Sequence, residues 1–183
     1  ERPYSLVIPY GLEYQHAKVL ASTPEHPFLR VELDGSVINT NLVGSYNADN
    51  VMAALCVGAQ FGVSFDQAVA AIEAYVPSNN RSQMTKTEKN SLIIDAYNAN
   101  PSSMDAALTN FSNVGAGHKV VMLGDMLELG AESVHEHKSV ITSALGRRLR
   151  KVFFVGKEFR KAADGIAYDP DVASLFDTSD QLA

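Results

Sequence analysis

The second half of the chain alternates short apolar runs with stretches of helical periodicity, and this alternation restricts the fold more than any other feature. The runs SLIID, KVVML, KVFFV and SLFD begin at positions 91, 119, 151 and 174. Between them, apolar residues at 104, 107, 108 and 111 predict one helix, and a second is expected from about 132 to 149. Strands that alternate with helices form parallel βαβ units, so we predict an α/β protein with a doubly wound sheet.

The first half predicts a hairpin followed by two helices. FLRVELDGSVINTNLV, residues 28–43, reads as two strands joined by Asp34-Gly35, a favourable two-residue turn. A helix is expected over residues 45–62, and the sequence Ser-Phe-Asp-Gln at 64–67 fits a capping box that begins the next helix. The polar segment PSNNRS, residues 77–82, ends that helix and divides the chain.

The segment LIIDAYNANP, residues 92–101, is expected to carry polar side chains to a ligand-binding edge. Its apolar residues predict a buried strand of the parallel type, and Asn100 and Pro101 suit the N-cap and first turn of a helix. Asp95 and the amides of Asn98 and Asn100 would then lie at the carboxyl end of a strand, where open α/β sheets bind ligands. Asp95 could hydrogen-bond a ribose hydroxyl, or it could simply hold the loop.

Three residues in the first half of the chain have the chemistry for binding a nucleotide. Asn47 and Asn50 are three apart at a helix start, so they share one face. An amide donates and accepts, which suits the edge of adenine, although spacing alone favours a simple helix cap for one of the two. Arg81 could clamp a phosphate bidentately, or it could be a solvated linker residue.

The loop LGDMLELG, residues 123–130, leaves a predicted strand and enters a helix. Asp125 and Glu128 are carboxylates beside the apolar Met126 and Leu127. Such a loop could bind a cationic or dipeptide-like substrate. Alternatively, its acidic residues could simply stabilise the start of the following helix.

Several classes of site and protein are disfavoured. His135 and His137 are two apart and point to different sides of a helix, whereas zinc helices space their histidines by four, so no metal site is predicted.

A net charge of −6 and a pI near 5.3 argue against nucleic-acid binding. The single Cys56 fits a reducing compartment, and no apolar run is long enough for a membrane span. The chain lacks an initial Met, and we interpret it as a fragment.

Four ordered motifs resemble the Mur ligase family. They are GSYNADNVMAA (44–54), NNRSQ (79–83), DAYNANPSSM (95–104) and VMLGDMLELG (121–130). The resemblance spans roughly residues 28–160. DAYNANP and LGDMLELG together are typical of those members that add D-alanyl-D-alanine to a nucleotide-linked peptide.

The resemblance implies a domain organisation and a reaction. Residues 1–81 would be the last part of a central α/β ATPase domain, and residues 82–183 a truncated Rossmann-like C-terminal domain. ATP, with Mg²⁺, would phosphorylate the carboxylate of UDP-N-acetylmuramoyl-tripeptide, and the amine of D-alanyl-D-alanine would attack the acyl phosphate. The reaction would supply peptidoglycan precursors in the cytoplasm. No nucleic-acid partner is implied, and any oligomer would form through surfaces exposed by truncation.

The resemblance also implies roles for individual residues. The expected nucleotide-binding residues are Asn47 and Asn50 at adenine, Arg81 at the phosphates, Asp95 at the ribose, and Asn98 and Asn100 in the loop that lines the interdomain cleft. The residues expected near the amine substrate are Asp125, Met126, Leu127, Glu128 and His137.

Two positions depart from the family, and several groups are missing from the chain. Tyr46 stands where the family often has His, and Ala96 replaces a common Ser. The sequence contains no G-x-x-x-x-G-K-[ST] phosphate loop, and the resemblance places the modified lysine and the magnesium ligands outside this chain. The chain alone is therefore expected to be inactive. Another amide ligase of the superfamily, or a non-catalytic nucleotide-binding module, remains an alternative, and a phosphate loop upstream would favour the ligase.

Overall fold

The protein folds into two compact units. The computed structural model describes residues 7–23, 25–78 and 80–182. The units divide between Ile94 and Asp95.

The first unit contains most of the strands and two helices. These are strands β1 (Lys18–Leu20), β2 (Arg30–Leu33) and β3 (Ser36–Asn39), helices α1 (Ala48–Gln60) and α2 (Phe65–Ala74), and strands β4 (Gln83–Lys86) and β5 (Ser91–Ile94).

The second unit alternates helices and strands. It contains helix α3 (Pro101–Asn113), strand β6 (Val120–Gly124), helix α4 (Ser133–Leu145), strand β7 (Lys151–Val155), helix α5 (Lys157–Ala162) and strand β8 (Ala173–Phe176).

The predicted hairpin of the first unit is confirmed. Strands β2 and β3 pair antiparallel across Asp34 (φ 50°) and Gly35 (φ 78°), and β1 adds to the free side of β2. Two left-handed residues make a turn whose twist matches that of the strands. Val31, Ile38 and Met52 are fully buried, so the sheet and α1 share one core.

The predicted helices of the first unit are also confirmed. A short 3₁₀ turn over Ser45–Asn47 precedes α1. Helix α2 begins with the predicted capping box, in which the Gln67 N–H donates to Ser64 Oγ (3.4 Å) and the Ser64 N–H donates to Gln67 Oε1 (3.2 Å).

The prediction for the strand before Asp95 is wrong. Strand β5 is antiparallel to β4, with Lys86 opposite Ser91, and Leu92 is 43% exposed rather than buried. The Thr87 hydroxyl accepts from the Asn90 N–H (2.9 Å) and closes a short local turn. Closing such a turn costs less chain entropy than pairing with a distant strand, and apolar periodicity does not distinguish the two.

The parallel sheet of the second unit is confirmed. Strands β6, β7 and β8 are parallel and adjacent in that order, with α4 and α5 as the crossovers. Phe154, Phe159 and Ile141 are fully buried, so strands and helices share one core. Asn100 caps α3 and Pro101 is its first residue, also as predicted. Within the described residues, no helix has the length and apolar character to cross a membrane.

Candidate functional site

A pocket in the first unit brings together three of the predicted nucleotide residues. Asn47, Asn50 and Arg81 line a cavity of about 410 Å³, large enough for a small organic ligand. Its apolar wall includes Val51 from α1 and Ile72 from α2. The pocket therefore combines an apolar surface for a planar group with amides and a cation.

The two asparagines act as one unit. The Asn47 side chain donates to the Val43 carbonyl (2.9 Å), and Asn50 Nδ2 donates to Asn47 Oδ1 (3.1 Å). Asn47 makes no side-chain cap bond to α1, so capping does not explain its position. An amide has a second N–H and a carbonyl with two lone pairs, so the exposed Asn50 can offer a donor and an acceptor to a ligand.

The linker that carries Arg81 has an unusual backbone. Asn80 (φ 56°) and Ser82 (φ 48°) are both left-handed, and they flank Arg81 directly. Ser82 is 5% exposed, and its hydroxyl is hydrogen-bonded to the hydroxyl of Tyr46. The linker is therefore held to the turn that begins α1, a contact that sequence reasoning missed.

A second contact missed by sequence reasoning fixes the end of α2. The Asn41 side chain donates to the carbonyls of Glu73 (2.7 Å) and Tyr75 (3.3 Å). Tyr75 lines the pocket, so the segment after β3 helps to fix the pocket wall. A polar residue that follows a predicted strand is the signal that could have suggested this bond.

The other three predicted nucleotide residues lie in the second unit. Asp95 and Asn98 are exposed. Asn100 Oδ1 accepts from the Ser103 N–H (2.9 Å) and the Ser102 hydroxyl (2.8 Å), so helix capping accounts for its side chain. The pocket and this loop are two separate groups of candidates.

In the loop after β6, Asp125 is held by helix α5. Its carboxylate accepts from the N–H groups of Glu158 (3.0 Å) and Phe159 (2.9 Å), at the positive end of the helix dipole. A Cβ on Gly156 would lie 2.1 Å from this carboxylate, so the close approach requires glycine. Sequence reasoning did not identify Gly156.

His137 holds the next residue of the same loop. Its ring is fully buried, Nε2 accepts from the Met126 N–H (3.0 Å), and Nδ1 lies 2.7 Å from the Ser133 carbonyl. A carbonyl only accepts and an N–H only donates, so the Ser133 carbonyl requires a proton on Nδ1, and Nε2 acts as the acceptor for the Met126 N–H. The His137 ring is therefore part of the loop's support and does not face a ligand.

The same loop turns two side chains outward. Leu127 is 73% exposed, and Glu128 is exposed with a left-handed backbone (φ 65°). Of the residues predicted near the amine substrate, these two are available to a ligand, while Met126 is buried.

Ser133, Glu158 and Lys161 form a small polar cluster at the helices that hold this loop. Glu158 accepts from Ser133 Oγ (3.0 Å) and from Lys161 Nζ (2.5 Å). The bond from Lys161, followed by that from Ser133, lowers the pKa of Glu158. Among the described residues, no group of three or more His, Cys, Asp or Glu side chains is arranged to hold a metal ion.

Comparison with known proteins identifies a consistent set of relatives. The family described as "Mur ligase, glutamate ligase domain" matches residues 80–182. The UDP-N-acetylmuramoyl-tripeptide–D-alanyl-D-alanine ligase of Treponema pallidum is 34% identical over 139 residues, 76% of this chain and 30% of that protein. The ligase of the same name from Bacillus subtilis is 36% identical over 128 residues, 68% of this chain and 28% of that protein.

A solved structure agrees with these relatives. A crystal structure of MurF from Acinetobacter baumannii matches with a TM-score of 0.74 and 26% identity, covering 84% of this chain and 34% of that one. The chain thus spans about 30% of the length of the curated relatives named above.

Proposed function

The chain belongs to the Mur ligase family, and we propose that it is part of an ATP-dependent ligase that adds D-alanyl-D-alanine to UDP-N-acetylmuramoyl-tripeptide. The observation that carries the proposal is the pocket that unites Asn47, Asn50 and Arg81, the residues assigned to adenine and phosphate. The names of the Treponema and Bacillus relatives support the choice of substrates. In the cell, the reaction would supply peptidoglycan precursors in the cytoplasm, an assignment that cell fractionation tests.

In the first unit, the pocket would bind the nucleotide. Asn50, oriented by Asn47, would pair with the donor and acceptor edge of adenine, while Val51 and Ile72 cover its apolar face. Arg81 would contact the phosphates, where a guanidinium forms bidentate, charge-assisted hydrogen bonds.

In the second unit, Asp95 would accept a hydrogen bond from a ribose hydroxyl, with Asn98 in the same loop. Leu127 and Glu128, the outward side chains of the loop after β6, would face the dipeptide. The carboxylate of Glu128 would attract the ammonium group before it loses its proton and attacks.

The proposed reaction has two chemical steps. ATP transfers its γ-phosphoryl group to the tripeptide carboxylate, which gives an acyl phosphate and ADP. The amine of D-alanyl-D-alanine then attacks the acyl carbon, and phosphate leaves as the amide bond forms. Mg²⁺ bound with ATP would offset the phosphate charge. Among the described residues, no group of three or more His, Cys, Asp or Glu side chains is arranged to hold this ion.

Nucleotide titration of the 183-residue chain tests the pocket. We expect ADP to bind more tightly than GDP, because guanine presents the opposite order of donor and acceptor to Asn50. Asn50→Ala should weaken ADP binding by about 1–3 kcal/mol, since it would remove two hydrogen bonds of about 0.5–1.5 kcal/mol each. Equal affinity for the two nucleotides, or an unaffected Asn50 variant, would argue against adenine recognition here.

The amine substrate is tested in the longer protein that contains this segment. ATP-dependent phosphate release should require both the nucleotide-linked tripeptide and D-alanyl-D-alanine. Release with glutamate instead would favour another amide ligase of the superfamily, and nucleotide binding without release would favour a non-catalytic module. The 183-residue chain alone should release no phosphate above the blank.

We also propose the domain assignment of residues 1–81 to a central ATPase domain and of 82–183 to a C-terminal domain. The family match beginning at residue 80 supports this boundary, whereas the compact units divide after Ile94. The two boundaries differ in where they place the hairpin of β4 and β5. Amide dispersion in an NMR spectrum of residues 82–183 tests it, and a collapsed spectrum would refute the assignment.

A further inference from the structure

We propose that Tyr46 and Ser82 form a latch that positions Arg81 for the phosphates of a bound nucleotide. The latch is the hydrogen bond between the two hydroxyls, which joins the turn before α1 to the linker. Tyr46 is a positioning residue, since it acts through Ser82 and the backbone of Arg81. The inference rests on the proposed nucleotide pocket and adds the device that orients its cation.

The latch connects two parts of the same pocket. Tyr46 precedes Asn47 in the short 3₁₀ turn, and Ser82 follows Arg81 in the linker. Asn47, Arg81 and Ser82 all line the cavity. The hydrogen bond between Tyr46 and Ser82 therefore joins the side that would bind the base to the side that would bind the phosphates.

The backbone of the linker is consistent with a segment held from outside. Asn80 and Ser82 adopt left-handed φ values of 56° and 48°, a region that non-glycine residues rarely occupy. Such conformations persist where surrounding contacts enforce them, and they concentrate at functional sites. The bond from Tyr46 to the buried hydroxyl of Ser82 is a contact that enforces this one.

The direction of the Tyr46 ring is itself restricted. A Cβ on Gly44 would lie 2.5 Å from Tyr46 Cε1, and Gly44 has φ 94°, so the ring lies against a backbone position that only glycine accommodates well. The ring therefore approaches Ser82 from a fixed side.

The test compares adenosine with ADP in the 183-residue chain, using calorimetry or chemical-shift titration. Tyr46→Phe keeps the ring and removes the hydroxyl. Ser82→Ala removes the other half of the bond. Each should weaken ADP binding roughly three- to tenfold, the range expected when a phosphate contact loses its orientation at the cost of one hydrogen bond. Adenosine has no phosphate for Arg81, so Tyr46→Phe, which changes no residue of the cavity lining, should bind adenosine as tightly as the wild type does.

Two further variants sharpen the result. The double variant Tyr46→Phe with Ser82→Ala should lose less ADP affinity than the sum of the two single losses, because both variants remove the bond that the two residues share. Tyr14→Phe is the matched control, since Tyr14 is 64% exposed and does not line the cavity. It should bind both ligands as the wild type does.

The outcomes separate the latch from the pocket. Suppose that the wild type binds both ligands. If Tyr46→Phe then leaves the affinity for ADP unchanged, or lowers the affinities for ADP and adenosine equally, the latch is refuted. The proposed nucleotide pocket is not refuted by that result. If the wild type binds neither adenosine nor ADP, the proposed nucleotide function fails, and the latch fails with it as a device for phosphate recognition.

Discussion

Two loops of this protein begin with an aspartate directly after a strand, and the structure uses them differently. Asp95 follows β5 and is exposed. Asp125 follows β6, and its carboxylate is bound to the first backbone N–H groups of α5. An aspartate at a strand end is thus only a candidate for ligand binding: the Asp125 carboxylate is held by the fold, whereas the exposure of Asp95 leaves it accessible to a ligand.

The same distinction separates the remaining candidates. In the first unit, Asn50 is oriented by Asn47 and keeps donor and acceptor capacity. In the second unit, both nitrogens of His137 are engaged with backbone groups, and Asn100 Oδ1 caps α3. Residues of similar chemistry therefore fall into two groups: those whose side chains are used to hold the fold, and those whose side chains remain accessible to a ligand.

The largest effect is expected where the loop after β6 meets α5. Gly156→Ala places a Cβ 2.1 Å from the Asp125 carboxylate at φ 131°, so it should lower the free energy of unfolding by about 3 kcal/mol or more. Urea denaturation measures it. Gly117→Ala is the matched control, because a Cβ there meets nothing within 4 Å. Equal stability of the two variants would show that Asp125 does not depend on this close approach.

This contact also marks the limit of sequence reasoning. The helices, the hairpin and the parallel alternation follow from local patterns, such as the Ser64–Gln67 capping box and the Asp34-Gly35 turn. Gly156 could not be identified, because its requirement arises from a carboxylate 31 positions earlier that folding brings against it. Strand β5 was misjudged for the opposite reason, since a nearby partner competed with a distant one.

A smaller effect is expected from the contrast between the two aspartates. In the proposed ligase, Asp95→Ala should raise the KM for ATP about tenfold, since the proposed charged hydrogen bond to ribose is worth roughly 1.5–3 kcal/mol. Steady-state kinetics at saturating tripeptide and dipeptide measure it.

Asp125→Ala is the reciprocal variant. It removes the acceptor for two N–H groups of α5, so it should lower the melting temperature clearly more than Asp95→Ala does. The contrast between support and ligand binding would be lost if Asp95→Ala left the KM for ATP unchanged while lowering the melting temperature as much as Asp125→Ala.

Candidate site residues were predictable to the extent that they are close in sequence. Asn47 and Asn50 share a helix face because of their spacing, and the structure joins them by a hydrogen bond. The Tyr46–Ser82 bond joins residues 36 positions apart and has no sequence pattern. The burial of His137 could not be predicted either. The spacing of two histidines on one helix shows that they face different sides, but not which of them faces the core.

The smallest expected effect is the pH dependence of the cluster beneath the loop after β6. The pKa of Glu158 is lowered, first by Lys161 and then by Ser133, so ionised Glu158 stabilises the folded state. A lowered folded-state pKa contributes stability above the usual value of about 4.5, and this contribution is lost as the pH falls through the folded value. Wild type should therefore have a higher urea midpoint than Glu158→Gln at pH 7, and the difference between the two midpoints should shrink below pH 4.

Lys161→Ala removes the main cause of the pKa shift, so in that background Glu158→Gln should change the urea midpoint less at pH 7. A difference between wild type and Glu158→Gln that stays constant from pH 7 to pH 3 would instead assign the role of Glu158 to packing, and the support of this loop would be independent of charge.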